Sequence, residues 1–203
     1  NFTTKYPRSP LTERARFLRL DCLYRQTLRY ELDQAPTNRC LSALAEYLRD
    51  YPSNDHISEC EAMLKDLNDR LDTKAYEAAK LYYKMEDYLA ARVALRNVLK
   101  DDAENIYRED ILFYTAKSSY KYAQLSVPQK QRERYLVFID DYLNFKGENP
   151  ESKYVKELDY LYSRAQKALG KRSEDYEKEI KEKAYAKERK KLEKALAKEK
   201  KQK

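Results

Sequence analysis

The sequence has no tryptophan and only two glycines, Gly147 and Gly170, among its 203 residues. A phosphate-binding loop or a dinucleotide-binding turn needs several glycines within a few residues, so both are excluded. The single histidine, His56, excludes a histidine-rich metal site and leaves little for acid–base catalysis near neutral pH. With a mean hydropathy of −0.99, the sequence has no membrane-spanning run. The composition therefore argues against an ordinary enzyme, and we predict no cofactor and no metal.

Charge is distributed unevenly along the chain. Residues 171–203 hold 14 Lys+Arg and 8 Asp+Glu, which is a net charge of +6 out of a total of +7. Acids precede bases by four residues in this segment, as in Glu174–Lys178 and Glu179–Lys183, a spacing that supports a solvated helix. We therefore predict a charged helical extension at 171–203. Nucleic-acid binding by this tail is the less favoured alternative, because nucleic-acid arms are more often purely basic.

The spacing of apolar residues predicts an all-α chain, and abundant Ala, Leu, Lys, Glu and Arg favour helices. Helix breaks near Pro7, Pro52, Asp102 and Pro150 suggest a repeat of about 45–50 residues, which indicates stacked helical hairpins. The predicted helices span 10–27, 37–51, 54–85, 88–100, 106–125 and 129–146, followed by one from 152 towards 200. Their expected N-caps include Ser9, Ser53 and Ser152.

Residues 75–103 resemble a tetratricopeptide repeat across their full length. Ala79 and Ala91 stand where the two helices of the motif must approach closely, which requires small side chains. Glu86 replaces the usual turn glycine of the motif, and Ala103 replaces its closing proline. Looser copies precede and follow this segment, so the resemblance implies a tetratricopeptide-like solenoid of helical hairpins.

A set of strings in a fixed order makes residues 1–170 similar to the BamD family of outer-membrane β-barrel assembly lipoproteins. These strings include Tyr6-Pro7-Arg8-Ser9-Pro10, Arg29-Tyr30-Glu31-Leu32-Asp33-Gln34, Leu81-Tyr82-Tyr83 and Pro150-Glu151-Ser152-Lys153-Tyr154. The resemblance implies a non-enzymatic periplasmic scaffold at the outer membrane that binds the periplasmic domains of BamA and incoming barrel precursors. Accessory lipoproteins would be further partners, and residues 129–170 would dock on BamA. A different tetratricopeptide-repeat adaptor for protein–protein interaction is the alternative.

The same resemblance implies a lipid anchor on an N-terminal cysteine. The sequence begins at Asn1 without a signal segment or such a cysteine, so we expect a stretch before Asn1 to carry both. We predict a repeat domain over 1–170 and the charged extension over 171–203.

The three cysteines, Cys22, Cys40 and Cys60, lack the spacing of a metal site. Cys22 and Cys40 fall on helix faces where a small residue packs between helices, so we predict buried free thiols. A Cys22–Cys40 disulfide is the alternative, since the periplasm implied by the resemblance would permit it.

A peptide-binding groove is expected on the first helix of each hairpin, as in other helical repeat arrays. The motif register places ten residues there: Phe17, Asp21, Tyr24 and Arg25 in the first repeat, Tyr76, Lys80, Tyr83 and Lys84 in the central one, and Lys117 and Lys121 in the next. Tyrosine rings beside lysine or arginine would suit an aromatic-rich peptide that ends in a carboxylate. The alternative is that these side chains only solvate a helix face.

Overall fold

The computed structural model describes residues 2–53 and 55–170, and within these ranges the chain is helical and contains no strand. The predicted all-α, tetratricopeptide-like fold class is confirmed. The helices are α1 (Phe2–Lys5), α2 (Thr12–Arg25), α3 (Ala35–Asp50), α4 (Ile57–Lys84), α5 (Tyr88–Asp101), α6 (Arg108–Gln124), α7 (Pro128–Glu148) and α8, which is helical over 155–170. The predicted charged helix at 171–203 lies outside the described residues.

The chain divides into two compact units, Asn1–Ile111 and Leu112–Lys203. In the first unit, consecutive helices from α1 to α5 pack against one another. Leu20, Leu44 and Leu67, one from each of α2, α3 and α4, are almost completely buried and form the centre of its core. Each of these helices therefore contributes one apolar face to a shared interior.

The α4–α5 hairpin has the close packing that the repeat motif predicts. Ala79 and Ala91 are 4% and 0% exposed. The turn between the two helices is closed by hydrogen bonds from the Asp87 amide to the Tyr82 carbonyl (3.0 Å) and from the Glu86 amide to the Tyr83 carbonyl (3.1 Å). This is the Schellman pattern, in which the residue after the C-cap adopts a left-handed conformation. Glu86 occupies that position with a φ of 62°, although the motif usually has glycine there.

The second unit has a core rich in aromatic rings. Phe113 of α6 stacks on Tyr154 with ring centroids 4.0 Å apart, and Tyr142 of α7 stacks on Tyr162 of α8 at 4.6 Å. The Tyr142 hydroxyl also donates to Asp159 Oδ1 (2.6 Å). Rings that pack by their faces and keep a polar tip for hydrogen bonding suit helices that are only half buried.

The predicted capping serines lie in turns that precede the helices. The Ser9 and Ser152 hydroxyls accept hydrogen bonds from the amides two residues later, at 3.3 and 3.0 Å. Their carbonyls accept from the amides three residues later, so a turn is completed before each helix begins. Ser53 is not the cap of α4 either, because His56 holds the N-cap position.

The cysteines are free thiols, and only two of them are buried. Cys40 and Cys60 are 0% exposed, as predicted, and they lie in the core of the first unit. Cys22 is exposed, so its predicted burial is wrong. The side of α2 that faces the core is set by Phe17 and Leu20, and Cys22 falls outside it.

Candidate binding surface

One face of α4 carries a row of charged side chains spaced three, four or seven residues apart, which is the spacing that keeps residues on one side of a helix. The row consists of Asp66, Arg70, Lys74, Glu77 and Lys84. Its first half holds the connection between α2 and α3. Lys74 Nζ donates to the carbonyls of Tyr30 (3.1 Å) and Leu32 (2.8 Å), and Arg70 donates to Thr27 Oγ1 (2.9 Å). Two cationic side chains of α4 therefore hold the connection between α2 and α3 against this helix.

Tyr24 and Arg25, predicted to line the groove in the first repeat, lie at the C-terminal end of α2. The Tyr24 hydroxyl donates to Asp66 Oδ2 (2.7 Å), and this hydrogen bond is the main cause that raises the pKa of Tyr24. Asp66 is also paired with Arg70. The Arg25 side chain remains 76% exposed while its Nε donates to Asp21 Oδ2 (2.8 Å). Arg25 and Asp21 are thus available at a surface, whereas the Tyr24 hydroxyl is engaged in fastening α2 to α4.

Two predicted groove residues are core residues instead. Phe17 is 9% exposed and stacks on His56 with centroids 3.7 Å apart. Tyr76 is 3% exposed and stacks on Tyr107 with centroids 4.5 Å apart. Each ring is covered by an aromatic partner from a later part of the chain, so neither lines an open groove.

Two remaining groove residues of the central repeat, Lys80 and Lys84, pair with Glu77, which is not among the predicted groove residues. Lys80 Nζ lies 3.4 Å from Glu77 Oε1, and Lys84 Nζ lies 3.2 Å from Glu77 Oε2. Burial acts to raise the pKa of Glu77, but the hydrogen bond from Lys84 and the charge of Lys80 outweigh it, and the pKa is lowered overall. In the sequence, Lys80 and Lys84 follow Glu77 by three and seven residues, a spacing that places all three side chains on one face of a helix and so indicates this contact.

We refer to Glu77, Lys80, Tyr83 and Lys84 as the Glu77 cluster. Lys80 Nζ also lies 4.8 Å from the centre of the Tyr76 ring, a cation–π contact. Tyr83 is half-buried and meets Tyr88 edge to face at 5.4 Å. With two lysines and one glutamate, the cluster has a net charge of +1 beside a tyrosine ring. Such a surface can accept one carboxylate and one apolar or aromatic group.

Lys117 and Lys121 belong to the second unit, where both lie on α6. Lys117 Nζ pairs with Glu157 Oε1 (2.8 Å) and lies 5.1 Å from the centre of the Phe113 ring. Lys121 follows one turn later and is half-buried. Lys117 therefore joins α6 to α8 within this unit.

Within the described ranges, no three acidic, histidine or cysteine side chains are arranged so that they could hold a metal ion. None of the helices in the described part of the chain combines the length and the apolar character needed to cross a membrane.

The chain is similar in sequence to a known protein family. The family model YfiO, described as an outer membrane lipoprotein, matches residues 1–137. The chain belongs to this family. The match to the YfiO family runs from α1 into α7 and includes the loop held by α4 and the Glu77 cluster. It confirms the resemblance to BamD proteins.

The outer membrane protein assembly factor BamD of Caulobacter vibrioides is 26% identical to this chain over 112 residues. The match covers 55% of this chain and 37% of the relative, so the chain matches little more than a third of the relative's length.

Proposed function

We propose that this chain is a non-enzymatic scaffold for the assembly of outer-membrane β-barrel proteins. It acts at the periplasmic face of the outer membrane, to which a lipid anchor attaches it. The match of the YfiO family of outer membrane lipoproteins to residues 1–137 carries this proposal. The name of the Caulobacter vibrioides relative, an assembly factor, supports it.

One proposed partner is the periplasmic part of BamA, which docks on the second unit. Leu136 and Leu143 lie seven residues apart on α7 and are 48% and 55% exposed. Two large apolar side chains on one face of a helix are typical of a surface that packs against another protein. Tyr160 on α8, 60% exposed, adds an aromatic ring of the kind enriched at interfaces.

The other proposed partners are barrel precursors, which bind through a C-terminal segment at the Glu77 cluster. An incoming carboxylate replaces Glu77 as the partner of Lys84, whose side chain is 56% exposed. The Tyr83 ring beside it offers an apolar contact to an aromatic side chain of the precursor. The single net positive charge of the cluster suits a single terminal carboxylate.

The scaffold proposal is tested by purifying the tagged full-length protein from detergent-solubilised envelopes and identifying the proteins that co-elute. We expect BamA among them. Replacing Leu136 and Leu143 with glutamate should remove BamA from the eluate, because each change puts a charge into the docking face. Leu18→Glu is the matched control, since Leu18 is 55% exposed on α2 of the first unit. Elution with a stable set of partners that lacks BamA would favour a different repeat adaptor.

The precursor proposal is tested with a labelled peptide from the C-terminus of a barrel protein, by fluorescence anisotropy. Lys84→Gln should weaken binding about two- to fivefold, as expected for an exposed ion pair. Lys130→Gln is the control, because Lys130 is 60% exposed and also pairs with a glutamate, at 3.9 Å. A peptide with a C-terminal amide should bind the wild type as weakly as the acid binds Lys84→Gln. Equal affinities for the two variants would refute the role of the Glu77 cluster.

A further inference from the structure

An acidic cleft lies within the first unit, between α4 and the connection from α5 to α6. It has a volume of about 640 Å³. Its charged lining consists of one lysine, Lys65, and five acids, Asp69, Asp72, Asp101, Asp102 and Glu104, a formal charge of −4. The lining also includes apolar groups, among them Leu71, Val98 and Ile106. The cleft thus combines apolar contacts with an excess of carboxylates.

Two of the carboxylates, those of Asp72 and Asp102, lie next to each other in the lining of the cleft. Asp72, on α4, accepts a hydrogen bond from the Ile106 amide at Oδ2 (3.0 Å), and Asp102 accepts one from the Glu104 amide at Oδ1 (3.0 Å). Burial is the main cause that raises the pKa of Asp72, and the charge and hydrogen bonding of Asp102 raise it further. Backbone amides therefore hold two acids close together, in an arrangement that a cation beside them would stabilise.

A second observation in the same cleft is independent of charge. Asn105 lines the cleft and is only 2% exposed. Its Oδ1 accepts from the Tyr107 amide (2.9 Å), but its Nδ2 has no acceptor among the described residues. Buried amide donors are almost always paired, so an unpaired one indicates a missing acceptor. A backbone carbonyl of a bound peptide would supply that acceptor.

We propose that this cleft binds an arginine side chain of a partner polypeptide. The guanidinium bonds Asp72 and Asp102 from the open side of the cleft, the aliphatic stem packs on Val98 and Ile106, and a neighbouring backbone carbonyl accepts from Asn105 Nδ2. Arginine suits the site better than lysine, because its planar fork can bond two carboxylates at once. A metal ion is disfavoured because, in the described part of the chain, no group of three such ligands converges.

This inference rests on the proposed function, in which the chain binds other polypeptides. It adds that a partner must carry a segment with an arginine. Its test uses a small probe, Nα-acetyl-arginine N-methylamide, titrated into the isotope-labelled full chain and followed by amide NMR shifts. We expect saturable shifts at Glu104 and Ile106 with a Kd of about 1–10 mM, the range for a single side chain. The neutral citrulline analogue has the same shape and should give none.

Three variants distinguish binding at this cleft from non-specific attraction of the probe to acidic side chains. Asp102→Asn should weaken probe binding at least fivefold, and Asp72→Asn should do the same. Asp140→Asn, at an exposed position of α7 in the second unit, is the matched control and should leave the affinity unchanged. The proposal is overturned if citrulline binds as well as arginine, if Asp140→Asn weakens binding equally, or if the cleft amides do not shift. Because the probe contains neither BamA nor a precursor, such a failure would leave the co-purification result unaffected.

Discussion

Replacement of Glu86 by glycine tests the turn between α4 and α5 most directly. The φ of Glu86 is 62°, where the β-carbon of an L-residue crowds the backbone. That conformation costs a residue with a β-carbon about 1–2 kcal/mol. Glycine avoids this cost but loses about 0.5–1 kcal/mol through the greater freedom of its unfolded chain. The difference predicts that Glu86→Gly raises the free energy of unfolding by about 0.5–1 kcal/mol.

Urea unfolding followed by circular dichroism measures this change. The midpoint should rise while the slope stays constant, because the surface exposed on unfolding is unchanged. Glu86→Ala is the control: it removes the carboxylate but keeps the β-carbon, so the midpoint should not rise. If Glu86→Ala stabilises the protein as much as Glu86→Gly, the gain comes from the lost carboxylate and the backbone explanation fails. A lower midpoint for Glu86→Gly would refute it as well.

Three further predictions concern helix capping, thiol exposure and pH. Asp87→Ala should lower the free energy of unfolding by about 1 kcal/mol, because Asp87 Oδ1 accepts a hydrogen bond from the Ala90 amide at the start of α5. In the same urea assay, Asp87→Asn should retain most of that stability. A thiol reagent should modify only Cys22 in the folded protein and all three cysteines in denaturant, counted by mass spectrometry, since Cys40 and Cys60 are buried. Burial is the main cause that raises the pKa of Tyr47 from 10.0 to about 12. Because folding favours the protonated hydroxyl, the contribution of Tyr47 to the free energy of unfolding is complete below pH 10 and is lost as the pH rises towards 12. Tyr47→Phe should therefore reduce the alkaline fall of the urea midpoint.

The helices themselves were predictable because their signals are local. The predicted span 88–100 starts at the same residue as α5 (Tyr88–Asp101) and ends one residue earlier, and the span 129–146 differs from α7 (Pro128–Glu148) by one residue at the start and two at the end. Apolar spacing fixes where such a helix runs without reference to the rest of the chain. The exact start was less predictable, since a hydroxyl can serve a preceding turn as readily as an N-cap. Ser152 illustrates this, because it bonds an amide in the turn before 155–170.

The burial of aromatic residues was less predictable because it depends on partners distant in sequence. Phe17 is covered by His56, and Tyr76 is covered by Tyr107. In each case the repeat register placed the ring on the expected inner face, but it could not show that a ring from a later segment would cover it. Tyrosine is ambiguous in this respect, since it suits both a core and a binding surface.

The acidic cleft and the Glu77 cluster show why charge patterns along one helix underdetermine a site. In the sequence, the acids and bases of α4 are typical of a solvated helix, and several of them do neutralise one another. Asp66 pairs with Arg70, and Glu77 pairs with Lys80 and Lys84. Asp72 instead meets Asp102, an acid that the chain reaches 30 residues later. The two acids meet only because α5 brings the connection that follows it beside α4. This contact between segments distant in sequence makes one face of α4 acidic, whereas the face that carries the Glu77 cluster remains basic.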